Sequence, residues 1–138
     1  MDIEHFYIEK GRGFPLILLH GNGEDCDYFR GQIDEFSKQY HVYAIDTRGH
    51  GRTPRGDMPF TIRQFAGDLL EFMDEHQIEK AHLLGFSDGG NIAMVFALQN
   101  PGRIDRLILN GANLNADGVK QTTQLPIEIG YKLAKRFS

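Results

Sequence analysis

Four stretches of the chain are short, apolar and uninterrupted by acidic residues until their ends: FPLILLHG (residues 14–21), HVYAID (41–46), AHLLGF (81–86) and RLILNG (106–111). Runs of this kind, bounded by glycine or polar residues, are the pattern of strands buried on both faces, as in a parallel sheet. Between them the period changes to that of a helix. Phe29, Ile33, Phe36 and Tyr40 recur at helical spacing within residues 25–40. Thr61 opens a second helix, with Gln64 placed to complete a capping box and Ile62, Phe65, Ala66, Leu69, Leu70 and Met73 on one face. NIAMVFALQN (91–100) is apolar nearly all round, a buried helix that Pro101 stops. Upstream, residues 3–11 alternate without a clean face and read as an outer strand, followed by a turn at Gly11 and Gly13. Strand and helix alternate through short glycine-containing joints, which predicts an α/β fold: a mostly parallel sheet of about five strands with helices on both faces.

The last stretch, LPIEIGYKLAKRFS, places Leu125, Ile129, Leu133 and Phe137 four residues apart, with cationic residues towards its end. This spacing predicts an amphipathic helix, weakened by Gly130, that packs on the domain or on a neighbouring chain rather than on a membrane.

The chain of 138 residues suits a single domain, and 41% hydrophobic with 25% charged residues is a globular composition. A net charge of −4 without a Lys/Arg stripe argues against nucleic acid or an anionic membrane as partner and for a small molecule. One cysteine, Cys26, permits no internal disulfide; with no signal peptide visible, a cytoplasmic location is expected. No histidine pair has the H-x-x-x-H spacing of a helical metal site, so neither a metal nor another cofactor is expected.

GFSDGG, residues 85–90, lies between a predicted strand and a predicted helix and fits G-x-S-x-G. In a sharp strand-to-helix turn the serine takes a strained backbone conformation, and only small residues two positions away let strand and helix approach. Gly85 and Gly89 occupy those positions around Ser87. The turn sets Ser87 at a helix N-terminus, where the Asp88 N–H and the helix dipole can stabilise a developing oxyanion. A plain structural turn is the alternative. GNGEDC, residues 21–26, begins like a dinucleotide-binding fingerprint, but Cys26 stands at the third glycine and Glu24 and Asp25 would oppose a pyrophosphate.

PLILLHGNGED, VYAIDTRGHGRT, LLGFSDGGNIAMVFALQNP and IDRLILNGANL, taken in that order, resemble the α/β-hydrolase family over nearly the whole chain, nearest to its esterases, peptidases and carbon-carbon bond hydrolases. The resemblance implies Ser87 as nucleophile and the backbone N–H groups of Asn22 and Asp88 as the oxyanion hole. It implies that His20 and Gly21 shape the oxyanion loop, and that Asp46, Arg48, Gly49, His50 and Gly51 form a structural loop beside the site. Catalytic base roles for His20 or His50 are the weaker alternatives; His5, His41, His76 and His82 are expected at the surface or at strand ends.

In that family the catalytic carboxylate and histidine follow the serine. All six histidines here precede Ser87, Asn110 and Asn113 stand where a variant acid could lie, and Asp117 is the nearest carboxylate. The expectation is therefore the N-terminal portion of an α/β-hydrolase-like domain, truncated before the cap and last strands, with residues 119–138 beginning a cap or forming a docking helix. The expected function is a serine hydrolase acting on small-molecule esters, thioesters or amides, with little activity in this chain alone; the alternative is a non-catalytic remnant that binds a ligand or partner. The 106–111 strand is expected at an open sheet edge, which a C-terminal helix or a homo-oligomer could cover.

Overall fold

Pro15–Leu19 forms the central strand, β2, because its apolar side chains are wanted on both faces: Leu16 and Leu18 join one cluster of buried residues, Ile17 and Leu19 the other. The structure, a computed structural model, describes residues 2–110 and the strand at 127–129. The strands are β1 (Tyr7–Lys10), β2, β3 (His41–Ile45), β4 (Ala81–Phe86), β5 (Ile104–Asn110) and β6 (Ile127–Ile129), and the helices α1 (Arg30–Phe36), α2 (Ile62–Glu75) and α3 (Asp88–Gln99). They form one sheet in the order β1-β3-β2-β4-β5-β6. Only β1 is antiparallel, with Tyr7 opposite Ile45; β2 pairs in parallel with β3 on one side and β4 on the other.

Helices cover both faces. Phe29, Ile33 and Phe36 of α1 and the turn before it pack on Leu16, Leu18, Val42 and Ala44. Against the opposite face α2 and α3 place Phe65, Phe72, Met73, Ile92 and Phe96 on Ile17, Leu83 and Leu107. From β2 the chain steps to β3 on one side, then returns to β4 on the other. Strand order therefore reverses between β2 and β4, and a cleft opens beyond their C-terminal ends, the usual ligand position in open α/β sheets.

Several local expectations change. The helix expected over 25–40 is a 3-10 turn, Cys26–Phe29, followed by the short α1. Asp25 caps that turn by accepting the Asp27 N–H, while the Cys26 N–H is drawn off to Asp46 Oδ1 at 2.7 Å. Thr61 caps α2 by accepting the Gln64 N–H at 3.1 Å, but the Gln64 amide reaches forward to Asp68 Oδ1 rather than back, so half of the capping box forms. Helix α3 starts at Asp88, three residues before the expected 91.

The largest correction concerns the tail. Residues 127–129, expected within a helix, are a strand parallel to β5, with Leu107 opposite Ile127 and Leu109 opposite Ile129. β5 is thus not the sheet edge: β6 adds a short sixth strand beside it among the described residues, on the mostly parallel sheet that was expected. The physical reason is twofold: Ile-Glu-Ile alternates with the period of a strand and has two β-branched residues, and the β5 backbone needs hydrogen-bond partners. The remainder of the expected helix, the interval 119–126, Asn113 and Asp117 lie outside the described residues. No helix among the described residues is long and apolar enough to cross a membrane.

Candidate active site

Ser87 sits between β4 and α3 with φ 54° and ψ −118°, a positive-φ conformation that side chains strongly disfavour. The sequence leaves the chain little choice there. A Cβ on Gly85 would run into the backbone of Gly89 and Gly90, and one on Gly89 into the carbonyls of Leu19 and His20, so both positions exclude a side chain. The strained turn is held by the Ser87 N–H, which donates to the Asn110 carbonyl at 2.9 Å, and by the Ser87 carbonyl, which accepts from Gly90 N–H at 2.9 Å. Ser87 is partly exposed, and its hydroxyl has no hydrogen bond among the described residues.

The HGNG loop after β2 lies beside it. The Gly21 carbonyl accepts from Glu24 N–H at 3.2 Å and from His20 Nδ1 at 2.7 Å, and the Gly21 N–H donates to Glu24 Oε1 at 3.1 Å. With both polar groups of Gly21 engaged, the next peptide is fixed. The N–H groups of Asn22 and Asp88 have no partner among the described residues, and both residues line a shallow open hollow with His20, Gly21 and His50. Two free donors at a helix start and an adjacent loop are a chemistry suited to binding an anionic oxygen.

The histidines are resolved by their partners. His20 is 2% exposed. Its Nδ1 faces a carbonyl and must donate, and its Nε2 receives the Thr47 N–H at 3.0 Å and must accept. Both nitrogens are committed, and burial, the largest influence, holds its pKa below the ordinary 6.5. His50 donates from Nδ1 to the Arg48 carbonyl at 3.0 Å, and its Nε2 lies 3.4 Å from Asn22 Oδ1. His41 pairs with Glu9 at 2.6 Å, and His76 bonds the Phe72 carbonyl and stacks on its ring. His5, two residues before β1, is half-buried with its ring edge-on to Phe72, and burial lowers its pKa.

The loop after β3 is a braced support. Asp46 is buried and accepts backbone N–H groups from Cys26 and Arg52, so it ties the two loops flanking the site. Burial, then Asp46, pushes the Cys26 thiol well above its ordinary range, which makes it an unreactive side chain. Arg48 is fully buried, gripped by Asp68 through Nε and Nη2 at 2.8 Å and by Asp2 through Nη2 at 2.7 Å and Nη1 at 2.8 Å. Asp2 and Asp68 were invisible in sequence, since they lie 46 and 20 residues from Arg48. Glu24 was likewise missed; its only local signal is the four-residue turn it closes with Gly21.

A mostly parallel, doubly covered sheet with a strained serine turn at its switch point is the framework of the α/β hydrolases. Residues 15–135 match the model of the alpha/beta hydrolase fold family, and the chain belongs to that family. It is 32% identical over 117 residues to a putative carbamate hydrolase of Azorhizobium caulinodans, covering 85% of this chain and 44% of that protein. It is also 32% identical over 106 residues to an (E)-2-((N-methylformamido)methylene)succinate hydrolase of Acinetobacter baylyi, covering 76% and 40%. Among solved structures, a meta-cleavage product hydrolase from Pseudomonas fluorescens matches with TM-score 0.79 and 34% identity over 82% of this chain and 43% of its own. The enol-lactonase from Burkholderia xenovorans gives 0.78 and 31% over 82% and 45%. The chain thus spans less than half the length of each of these relatives.

Proposed function

We propose that the protein is a serine hydrolase acting on small-molecule esters, thioesters or amides through Ser87. The observation that carries this reading is the positive-φ serine between β4 and α3, beside two unengaged N–H groups. In this mechanism Ser87 Oγ attacks the substrate carbonyl while a general base takes its proton. The carbonyl oxygen, now negative, is received by the Asn22 and Asp88 N–H groups, which are already oriented and need no rearrangement as charge develops. Collapse of the tetrahedral species expels the alcohol, thiol or amine, and water releases the acyl group by the same route.

His20 does not suit the base, since its ring nitrogens are already bonded in the tautomer their partners dictate. No histidine follows Ser87 among the 138 residues, where the family order of serine, carboxylate and histidine would put it. Residues 1–138 by themselves are accordingly proposed to turn over substrate slowly. That same observation favours a second reading, a non-catalytic domain that binds a ligand or partner at this cleft.

A fluorophosphonate probe separates the two. Stoichiometric labelling of Ser87, abolished in Ser87→Ala, is the expected result; a Ser87 inert to the probe would support the binding domain instead.

A further inference from the structure

Beside Ser87 lies a carboxylate, that of Glu24, with no cationic partner among the described residues. Glu24 Oε1, Ser87 Cβ and Phe86 Cδ1 lie 2.6, 3.3 and 3.5 Å from the point a Gly21 Cβ would occupy, so carboxylate, nucleophile and aromatic ring meet around one glycine. The carboxylate is fixed, because Oε1 accepts the Gly21 N–H at 3.1 Å; Oε2 accepts no hydrogen bond among the described residues. No lysine or arginine pairs with Glu24 among those residues, whereas nearby Asp27 is matched by Arg30 at 2.8 Å.

Beside it stands an aromatic platform. Tyr28 stacks on Phe86 at 4.7 Å with 25° between the planes and is 43% exposed. Phe86 packs on the cluster beneath α1 and carries Tyr28 on its ring, while the hollow lined by Asn22 and Asp88 also has Phe65 and Ile92, which belong to the opposite cluster, in its wall. A partly exposed carboxylate with a free oxygen next to an accessible aromatic face is a receptor for an organic cation, combining ion pairing with cation–π attraction. The same negative charge opposes an oxyanion forming at Ser87 unless the substrate brings a positive charge to offset it.

Resting on the reading of Ser87 as nucleophile, we propose that Glu24 and the Tyr28–Phe86 pair form a subsite for a substituted ammonium group carried close to the scissile carbonyl. Carboxylated substrates are disfavoured on this side.

The test uses the full chain and its Ser87→Ala variant, with amide chemical shifts followed as benzyltrimethylammonium, benzyl alcohol or phenylacetate is added. Benzyltrimethylammonium is expected to give saturable shifts at Gly21, Tyr28 and Phe86 in both proteins, and phenylacetate none. Glu24→Gln keeps an acceptor for the Gly21 N–H and removes the charge; it is expected to weaken the cation on the order of tenfold, as is Tyr28→Leu, which removes the platform. Absence of shifts with the cation, equal binding of phenylacetate, or unchanged affinity in both variants would overturn the subsite. Failure of Ser87 to react with a neutral fluorophosphonate would overturn the hydrolase reading alone, and the shifts would still decide the cation site.

Discussion

Replacing Ser87 by glycine is expected to make the protein more stable, although it removes the proposed nucleophile. At φ 54° and ψ −118° the serine Cβ crowds its own backbone, and residues held in such regions cost about 1–3 kcal/mol each. Glycine removes that strain but gains unfolded-state freedom, an opposing effect of roughly 0.5–1 kcal/mol. The balance favours Ser87→Gly by about 1 kcal/mol. Ser87→Ala keeps the Cβ and the strain, and its lost hydroxyl strands no partner among the described residues. The decisive quantity is therefore the glycine-minus-alanine difference. Urea unfolding followed by circular dichroism suits a chain without tryptophan, and the glycine variant should also melt higher by roughly 3–5 °C. Gln77, at φ 56°, provides a comparison: Gln77 N–H donates to the Asp74 carbonyl and Ile78 N–H to that of Met73, a Schellman ending of α2. Glycine there should gain a similar ~1 kcal/mol. A Ser87→Gly protein no more stable than Ser87→Ala would refute the account of the turn as strained.

Gly89→Ala should cost about 2–3 kcal/mol in urea unfolding, because the new methyl meets the β2 carbonyls, while Gly67→Ala, with open space around it within α2, should gain roughly 0.5–1 kcal/mol; equal effects would contradict the packing described. Asp68→Ala leaves the Arg48 guanidinium fully buried with one carboxylate fewer and should cost about 3–5 kcal/mol, and a loss under 1 kcal/mol would mean that Arg48 finds water. His20 and His5 have folded pKa values below the ordinary 6.5, so the folded state binds fewer protons than the unfolded one beneath that pH. Stability is thus full above about pH 6.5 and falls as the solution is acidified. Ring nitrogen shifts should show His20 neutral and Nδ1-protonated at neutral pH, as its two bonds dictate; titration at or above its ordinary value would sink the assignment.

The sheet was legible in the sequence because β2, β3, β4 and β5 need apolar side chains on both faces, and that need leaves unbroken runs such as LILL and LLGF. Ser87 with Gly85 and Gly89 was legible for a related reason: the constraint is steric and spans five residues. What stayed hidden was non-local. Arg48 reads as one more charged loop residue until Asp2 and Asp68 are brought to it from distant parts of the chain. Glu24 first reads as a charge that would repel a pyrophosphate, and only the folding of HGNGED back on itself shows it bonded to Gly21 beside the serine. The tail misleads because four-residue spacing of Leu125, Ile129, Leu133 and Phe137 is a helical signal, whereas residues 127–129 answer to an open neighbouring strand.

The placement of β2 between β3 and β4 also bears on how the chain is made. Once residue 45 has left the ribosome, β1, β3 and β2 can already pair, but the outer edge of β2 must wait for Ala81–Phe86. At 5–20 residues per second that interval lasts on the order of a few seconds. Throughout it, the most apolar strand of the sheet offers unpaired N–H and carbonyl groups to any neighbouring nascent chain. The reversal of strand order that opens the cleft thus also creates a period of vulnerability during synthesis. Slowing elongation between residues 46 and 80 should raise the aggregated fraction, and an unchanged fraction would refute this account.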